Sequence, residues 1–333
     1  MDIMESIYER AKARPMRVAF PEVEEGKIVQ AALECADKGI CVPVLVGDPE
    51  VARATADDLG LSLEGIEVVD AKDEEWLTAL VDEYVPTQTL NSAKTMLRRS
   101  RKDPMYVALM MQAVGRVDVT FAGMSHSTGD VIMAGQMVVG LAEGVSTVSS
   151  VGIFDIPDYE GSEGRYLGFG DSAVCANPDA EQLASIAISC CDTVAALVGW
   201  EPRCALLSYS TDGSAGGPLV EKVLEAKRIA NERRPDLMID GEFQFDSAVS
   251  PAVAAKKVRR ESAVAGKANI IIWPDLNVGN VGVKLVQRFA HADAYGPMLQ
   301  GFAKIVCDCS RSAPVSEVVG NVAMSCVRAQ AVS

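Results

Sequence analysis

Short apolar runs alternate with amphipathic stretches almost from the start of the chain. Arg17-Val-Ala-Phe20 predicts a buried strand ended by Pro21, followed by a helix over residues 24–38 that stops at Gly39. Val42-Pro-Val-Leu-Val46 predicts the next strand, closed by Gly47-Asp48-Pro49, and residues 66–69 predict a third. Helical patterns cover residues 74–83, 90–99 and 104–114, before a strand over 117–122 that runs into Gly123. Strands separated by helices indicate βαβ units and a parallel sheet.

The middle of the chain reads differently. Residues 147–154 are β-rich and lead into a turn-rich stretch over 157–164, with another strand over 166–169. Asn177-Pro-Asp179 then predicts the opening of a long helix over 180–198, with Asn177 as its cap and Pro178 in its first turn. Strands over 204–208, 268–272 and 304–306 alternate with helices over 219–232, 281–290 and 314–327. There is no internal repeat and no low-complexity linker.

Composition narrows the class. The chain has 333 residues, of which 49% are hydrophobic and only 5% aromatic, so its cores are built from Ala, Val, Leu, Ile and Met. A net charge of −15, from 31 basic and 46 acidic residues, repels nucleic acid and anionic membranes. It also obliges an anionic substrate to find a local basic pocket. The first residues do not resemble a signal peptide, and no apolar stretch is expected to cross a bilayer without interruption. The nine cysteines are scattered, with no C-x-x-C pair, as expected of reduced and mostly buried thiols in a cytoplasmic protein. Only His126 and His291 are present, which argues against a Ser-His-Asp triad or a histidine-rich metal site, and no metal is expected.

Four turns carry candidate chemistry. Gly123-Met-Ser-His-Ser-Thr-Gly-Asp130 lies between a strand and a helix. Its small residues and free amides suit an anion, and Ser125, Ser127 and Thr128 add hydroxyl donors. An ordinary turn capped by Ser127 or Thr128 explains the same residues. Leu207-Ser-Tyr-Ser-Thr-Asp-Gly-Ser-Ala-Gly-Gly217 is a second such loop, with Ser208, Ser210 and Thr211 as candidate phosphate ligands. It is neither a P-loop nor a G-x-G-x-x-G turn. The third runs from Trp273 to Gly282 and offers Asn277 and Asn280, then Lys284 and Arg288 on the next helix. Asp275 and Asn277 serve equally well as turn-formers. The fourth, Asp308-Cys-Ser-Arg311, follows the last strand, at the end where parallel sheets bind ligands.

These turns, in this order, resemble the phosphate acetyltransferase and butyryltransferase family. So do Phe20-Pro-Glu22, Asn177-Pro-Asp-Ala-Glu-Gln-Leu-Ala184, Glu201-Pro-Arg203, Arg234-Pro-Asp-Leu237, Ile239-Asp-Gly241, Val264-Ala-Gly-Lys-Ala-Asn269, Gly296-Pro297 and Gln300-Gly301. The resemblance covers nearly the whole chain and is closer to the acetyl branch. It implies two α/β domains like those of isocitrate and isopropylmalate dehydrogenases, residues 1–142 with 298–333 and residues 143–297, with the active site in the cleft. It implies a homodimer, and direct acyl transfer between coenzyme A and phosphate in a ternary complex, without metal, covalent intermediate or permanently bound cofactor. Acetyl-CoA or coenzyme A and acetyl phosphate or phosphate are the implied partners. Ser310 and Arg311 are then implied to stabilise developing charge, and Glu317 to take the thiol proton.

The sequence departs from the family pattern in three places. Thr128-Gly-Asp130 is followed by Val131, Ile132 and Met133, where the family has an arginine at the third position. Residues 85–90, Val-Pro-Thr-Gln-Thr-Leu, hold no basic residue where the family has an Arg-Lys-rich turn; Arg98, Arg99 and Arg101 are the nearby replacements. Glu317 stands where the family has aspartate. The alternative these losses leave open is a catalytically impaired paralogue, a regulatory or structural dimer that binds a coenzyme A-like ligand.

Overall fold

The computed structural model describes residues 3–332. They fall into two compact units, with the chain leaving the first between Ala142 and Glu143 and returning to it between Gly301 and Phe302. The first passage through unit one runs α1 (Ile3–Ala13), β1 (Met16–Phe20), α2 (Gly26–Asp37), β2 (Cys41–Gly47), α3 (Pro49–Asp58), β3 (Glu67–Asp70), α4 (Glu74–Tyr84), α5 (Ala93–Ser100), α6 (Pro104–Ala113), β4 (Val119–Phe121) and α7 (Thr128–Val138). Unit two holds β5 (Ser149–Asp155), β6 (Tyr166–Gly170), α8 (Ala180–Val198), β7 (Arg203–Leu207), α9 (Pro218–Arg233), β8 (Met238–Phe243), α10 (Phe245–Val249), α11 (Pro251–Lys257), β9 (Ile270–Ile272), α12 (Leu276–Phe289) and β10 (Asp293–Gln300). The chain then adds β11 (Ile305–Cys307) and α13 (Val315–Val332) to unit one.

Unit one is built on a parallel sheet of order β11-β4-β1-β2-β3. The apolar runs of β1, β2, β4 and β11 supply its buried interior, the edge strand β3 being only partly buried, and Phe20 packs on Phe121 across the β1–β4 pair. Strand order reverses between β1 and β4. The chain moves outward through β2 and β3, then resumes on the other side of β1, so a crevice opens at the carboxyl ends of β1 and β4. Two helices here escaped the hydrophobic pattern. In α1, Ile7 and Ala11 lie one turn apart and bury against α13, a stripe too narrow to register among charged residues. In α3, Asp48, read as part of a turn, also caps the helix, accepting the Glu50 N–H at 2.9 Å with Pro49 in the first turn.

Unit two has a mixed sheet of order β10-β5-β6-β9-β7-β8, parallel from β6 to β8 and antiparallel at β10 and β5. β10 was not anticipated, since Gly296 and Pro297 interrupt its pattern and its register with β5 shifts between Tyr295 and Met298. Because Met298–Gln300 pair with β5, the chain returns to unit one after Gly301 and not at 298. Asp179, not Asn177, caps α8: it accepts the Gln182 N–H at 2.8 Å, and Gln182 Oε1 accepts its N–H at 3.1 Å. Contrary to expectation, α8 is long and apolar enough to cross a membrane by length and composition. Its Leu183, Ile186, Val194 and Leu197 are buried within unit two, and the helix packs on the sheet and α9. All nine cysteines are free thiols.

Candidate active site

In unit one, three adjacent strands end in residues that meet. Beyond β1 comes Glu22, beyond β4 the turn from Gly123 to Ser127, and beyond β11 the turn from Asp308 to Arg311. Glu22 is fully buried. Its carboxylate accepts the N–H groups of Gly123, Met124, Ser125 and His126 at 3.0, 2.8, 3.0 and 3.1 Å, and the Nδ1–H of His126 at 2.7 Å. Burial works to raise its pKa, but the His126 bond and the amide bonds outweigh it and hold the carboxyl down at about 2. His126 Nε2 lies 3.2 Å from Asp103 Oδ2. Asp103 first, and then Glu22, raise the imidazole to about 10 against the effect of burial, so it is a cation with both ring nitrogens donating.

Of the two readings of this turn, an anion cradle or an ordinary capped turn, the amides of residues 123–126 are not open to a ligand. Four of its amides already hold an anion, and that anion is the chain's own Glu22. Ser127 is likewise committed: with Asp130 it forms a capping box, Ser127 Oγ and the Asp130 carboxylate 2.6 Å apart. Ser125 Oγ donates to Glu24 at 3.1 Å. Thr128 Oγ1 donates to Asp308 Oδ2 at 2.6 Å, tying the β4 turn to the β11 turn.

Gly123 makes that approach possible. It has φ of +109°, and a Cβ on it would lie 2.1 Å from Asp308 Oδ1 and 2.7 Å from Cys309 N. Arg311, exposed, donates through Nη2 to the Ser125 carbonyl at 3.2 Å, and Ser310 Oγ lies 2.9 Å from Ser312 Oγ. Glu317 is exposed in the first turn of α13. Lys27, which no motif singled out, reaches the Ala313 carbonyl at 3.1 Å and adds a cation beside this turn. Ser310, Arg311, Ser125 and Thr128 are therefore one neighbourhood.

The candidates in unit two divide into two groups. Ser210 and Thr211 are buried and used internally: Ser210 Oγ donates to Glu242 at 2.8 Å, and Thr211 Oγ1 accepts the Gln244 N–H at 2.8 Å. Ser208 Oγ accepts the Ser210 N–H at 3.2 Å. These hydroxyls hold the loop's own shape. Asn277, Asn280, Lys284 and Arg288 are exposed on α12, with Asp275 as its cap. Lys284 and Arg288, with Gln287 between them, line a surface depression of about 380 Å³. Asp171, beyond β6, repeats the device of Glu22, accepting the N–H groups of Ala173, Val174 and Cys175 at 3.0, 3.2 and 2.6 Å. Among the described residues, no three His, Cys, Asp or Glu are placed to hold a metal ion.

Residues 2–326 match the model of the phosphate acetyl/butaryl transferase family. A phosphate acetyltransferase of Clostridium acetobutylicum is 40% identical over 335 residues, 99% of each chain. The chain belongs to this family. A phosphotransacetylase from Streptococcus pyogenes superposes with a TM-score of 0.88 at 31% identity, covering 98% of each chain. A 4-hydroxythreonine-4-phosphate dehydrogenase from Klebsiella pneumoniae shares the fold alone, with a TM-score of 0.55 at 11% identity over 95% of this chain and all of the other.

Met133 projects from α7 with half its surface exposed, an apolar side chain in water. Thr87 Oγ1 donates back to the Tyr84 carbonyl at 2.7 Å. Of the candidate replacements, Arg101 is forked onto Glu74 at 2.7–3.1 Å and Arg99 is held by the Tyr106 hydroxyl at 2.9 Å, while Arg98 is exposed on α5. Arg101 also lines, with Lys72 and Lys102, a cavity of about 270 Å³ beyond the carboxyl ends of β2 and β3.

Proposed function

We propose that this protein moves an acetyl group, or another short acyl group, between coenzyme A and inorganic phosphate by direct transfer. The observation that carries the reading is the union of the β4 and β11 turns at the strand-order reversal, with Arg311 against Ser125 and Thr128 against Asp308, in a member of this family. The phosphate end of the substrates lies against this union, where Arg311 supplies a cation and Thr128 a hydroxyl. Glu317 takes the proton of the coenzyme A thiol; the thiolate attacks the acyl carbonyl, and phosphate leaves with the electron pair of the broken C–O bond. The Arg311 guanidinium and Ser310 hydroxyl stabilise the oxyanion that forms between. Lys284 and Arg288, one turn apart on α12, offer two cations to the phosphates of coenzyme A. The protein works as a homodimer in the cytoplasm. An exposed apolar stripe of Val278, Val281, Leu285 and Phe289 along α12 supports the dimer, and nine free thiols support a reducing compartment.

The test is thiol release from acetyl-, propionyl- and butyryl-CoA in the presence of phosphate. Acetyl-CoA is expected to react fastest, and every rate to require phosphate. Absence of thiol release from all three would overturn the proposal.

A further inference from the structure

Asp308 has no part in the transfer as written above, yet it sits at its centre. One oxygen accepts the Thr128 hydroxyl at 2.6 Å. The other, Oδ1, is buried against Gly123 without a hydrogen-bond partner, and besides Thr128 only the Cys309 N–H favours the charged form of the carboxyl. Burial raises the pKa of Asp308 to about 6; the Glu22 charge adds to this, and the Thr128 and Cys309 bonds oppose it.

Its charged and titratable surroundings are Glu22 on the β1 turn, His126 and Asp130 beside the β4 turn, Arg311, Cys307 and Cys309 on its own turn, and Glu317 and the buried Arg328 on α13. Glu22 keeps its charge down to about 2 and His126 its proton up to about 10, while burial pushes Cys307 to about 11 and Cys309 higher still. Among these perturbed groups, Asp308 alone changes charge near neutrality.

A hydroxyl has one proton. While Asp308 is ionised, Thr128 commits that proton to the carboxylate and can meet an anion only with lone pairs. Once Asp308 is protonated the bond reverses, and the Thr128 proton is free for a phosphate oxygen. We propose that Asp308 is a positioning residue that couples phosphate binding to proton uptake: the arriving anion draws one proton from solvent onto Asp308, and the Thr128 hydroxyl turns to donate to the anion. The O–H bond formed on Asp308 replaces the bond that held the proton on the solvent or buffer donor, and release of phosphate returns the proton to solvent. The inference rests on the placement of phosphate against the β4 turn.

The experiment is calorimetric titration of the whole protein with inorganic phosphate at about pH 7, in buffers of different ionisation enthalpy, beside Asp308→Asn. The variant is isosteric, and its side chain takes up no proton in this range. Because both proteins meet the same phosphate, the ligand's own titration cancels in the difference. Wild type should take up more protons per phosphate than the variant, by between about one half and one. Its affinity should weaken by up to about tenfold per pH unit above the Asp308 value, a dependence the variant loses. Equal uptake in two proteins that both bind phosphate would overturn the coupling while leaving the site intact. No phosphate binding by wild type would overturn the coupling and the placement together. Sulfate, a dianion throughout this range, gives the wild-type answer by itself if the variant does not fold: binding without proton uptake would overturn the coupling.

Discussion

Glu22→Gln tests the centre of the fold in unit one. The side chain keeps its size but loses its charge, and one of its two acceptors becomes a donor facing an N–H. Four backbone amides and an imidazolium depend on those two oxygens. The magnitude follows in two ways. The carboxyl is held from 4.5 down to about 2, a difference worth roughly 3 kcal/mol at neutral pH. Breaking one partner of a buried ion pair costs about 3–5 kcal/mol. These count the same bonds, so they are not added. At about 2–4 °C per kcal/mol for a domain of this size, unit one should melt lower by roughly 6–20 °C. Thermal unfolding followed by circular dichroism, with activity measured below the transition, reads the effect. A variant melting within about 2 °C of wild type would refute the role given to Glu22. The pH dependence has a definite sign. The folded pKa of Glu22 is depressed, so its contribution is present above the ordinary carboxylate range and is lost as pH falls towards about 2. His126 is raised, so its contribution is complete below about 6.5 and is lost as pH rises through about 10.

Arg311→Ala should lower turnover at least ~100-fold with folding unchanged, read by steady-state kinetics; near-normal turnover would remove Arg311 from the reaction. Glu317→Gln should abolish most turnover while the Michaelis constant for coenzyme A stays within about twofold; lost binding with retained turnover at saturation would contradict its role as base. Met133→Arg should lower the Michaelis constant for acetyl phosphate by about 10- to 100-fold, the worth of one charge-assisted bond at ~1.5–3 kcal/mol, and leave that for coenzyme A unchanged. A rise for acetyl phosphate would show that another cation holds the anion, with Arg98, Lys102 and Lys27 the next to change. Gly123→Ala should cost roughly 2–4 kcal/mol in denaturant unfolding, because its Cβ would lie 2.1 Å from Asp308 Oδ1 at a positive φ; a cost under about 0.5 kcal/mol would mean the β11 turn yields freely.

Much of this architecture is legible in the sequence. Apolar runs of four or five residues marked the parallel strands, and Gly and Pro marked their ends. The turns after β4 and β11 were picked out by the same small and hydroxyl residues that now meet there. What could not be read was the use of those residues. A strand-to-helix turn rich in Gly, Ser and Thr has the same local pattern whether its amides face a ligand or a carboxylate of the same chain. Only the contact with Glu22, more than 100 residues distant in sequence, decides between them. Ser210 and Thr211 show the same ambiguity, resolved by Glu242 and Gln244. β10 was hidden because its partner, β5, lies far upstream and its own alternation is broken at Gly296-Pro297. The exposed basic residues of α12 were legible because a helix places Lys284 and Arg288 on one face without help from the rest of the fold.

The most direct test of the account is thioester formation by the purified protein from acetyl phosphate and coenzyme A. The account predicts a steady rise in thioester absorbance that requires both substrates and enzyme and saturates in each. Coenzyme A binding with no thioester formed, at any concentration of acetyl phosphate, would contradict it and leave a ligand-binding protein in place of a transferase.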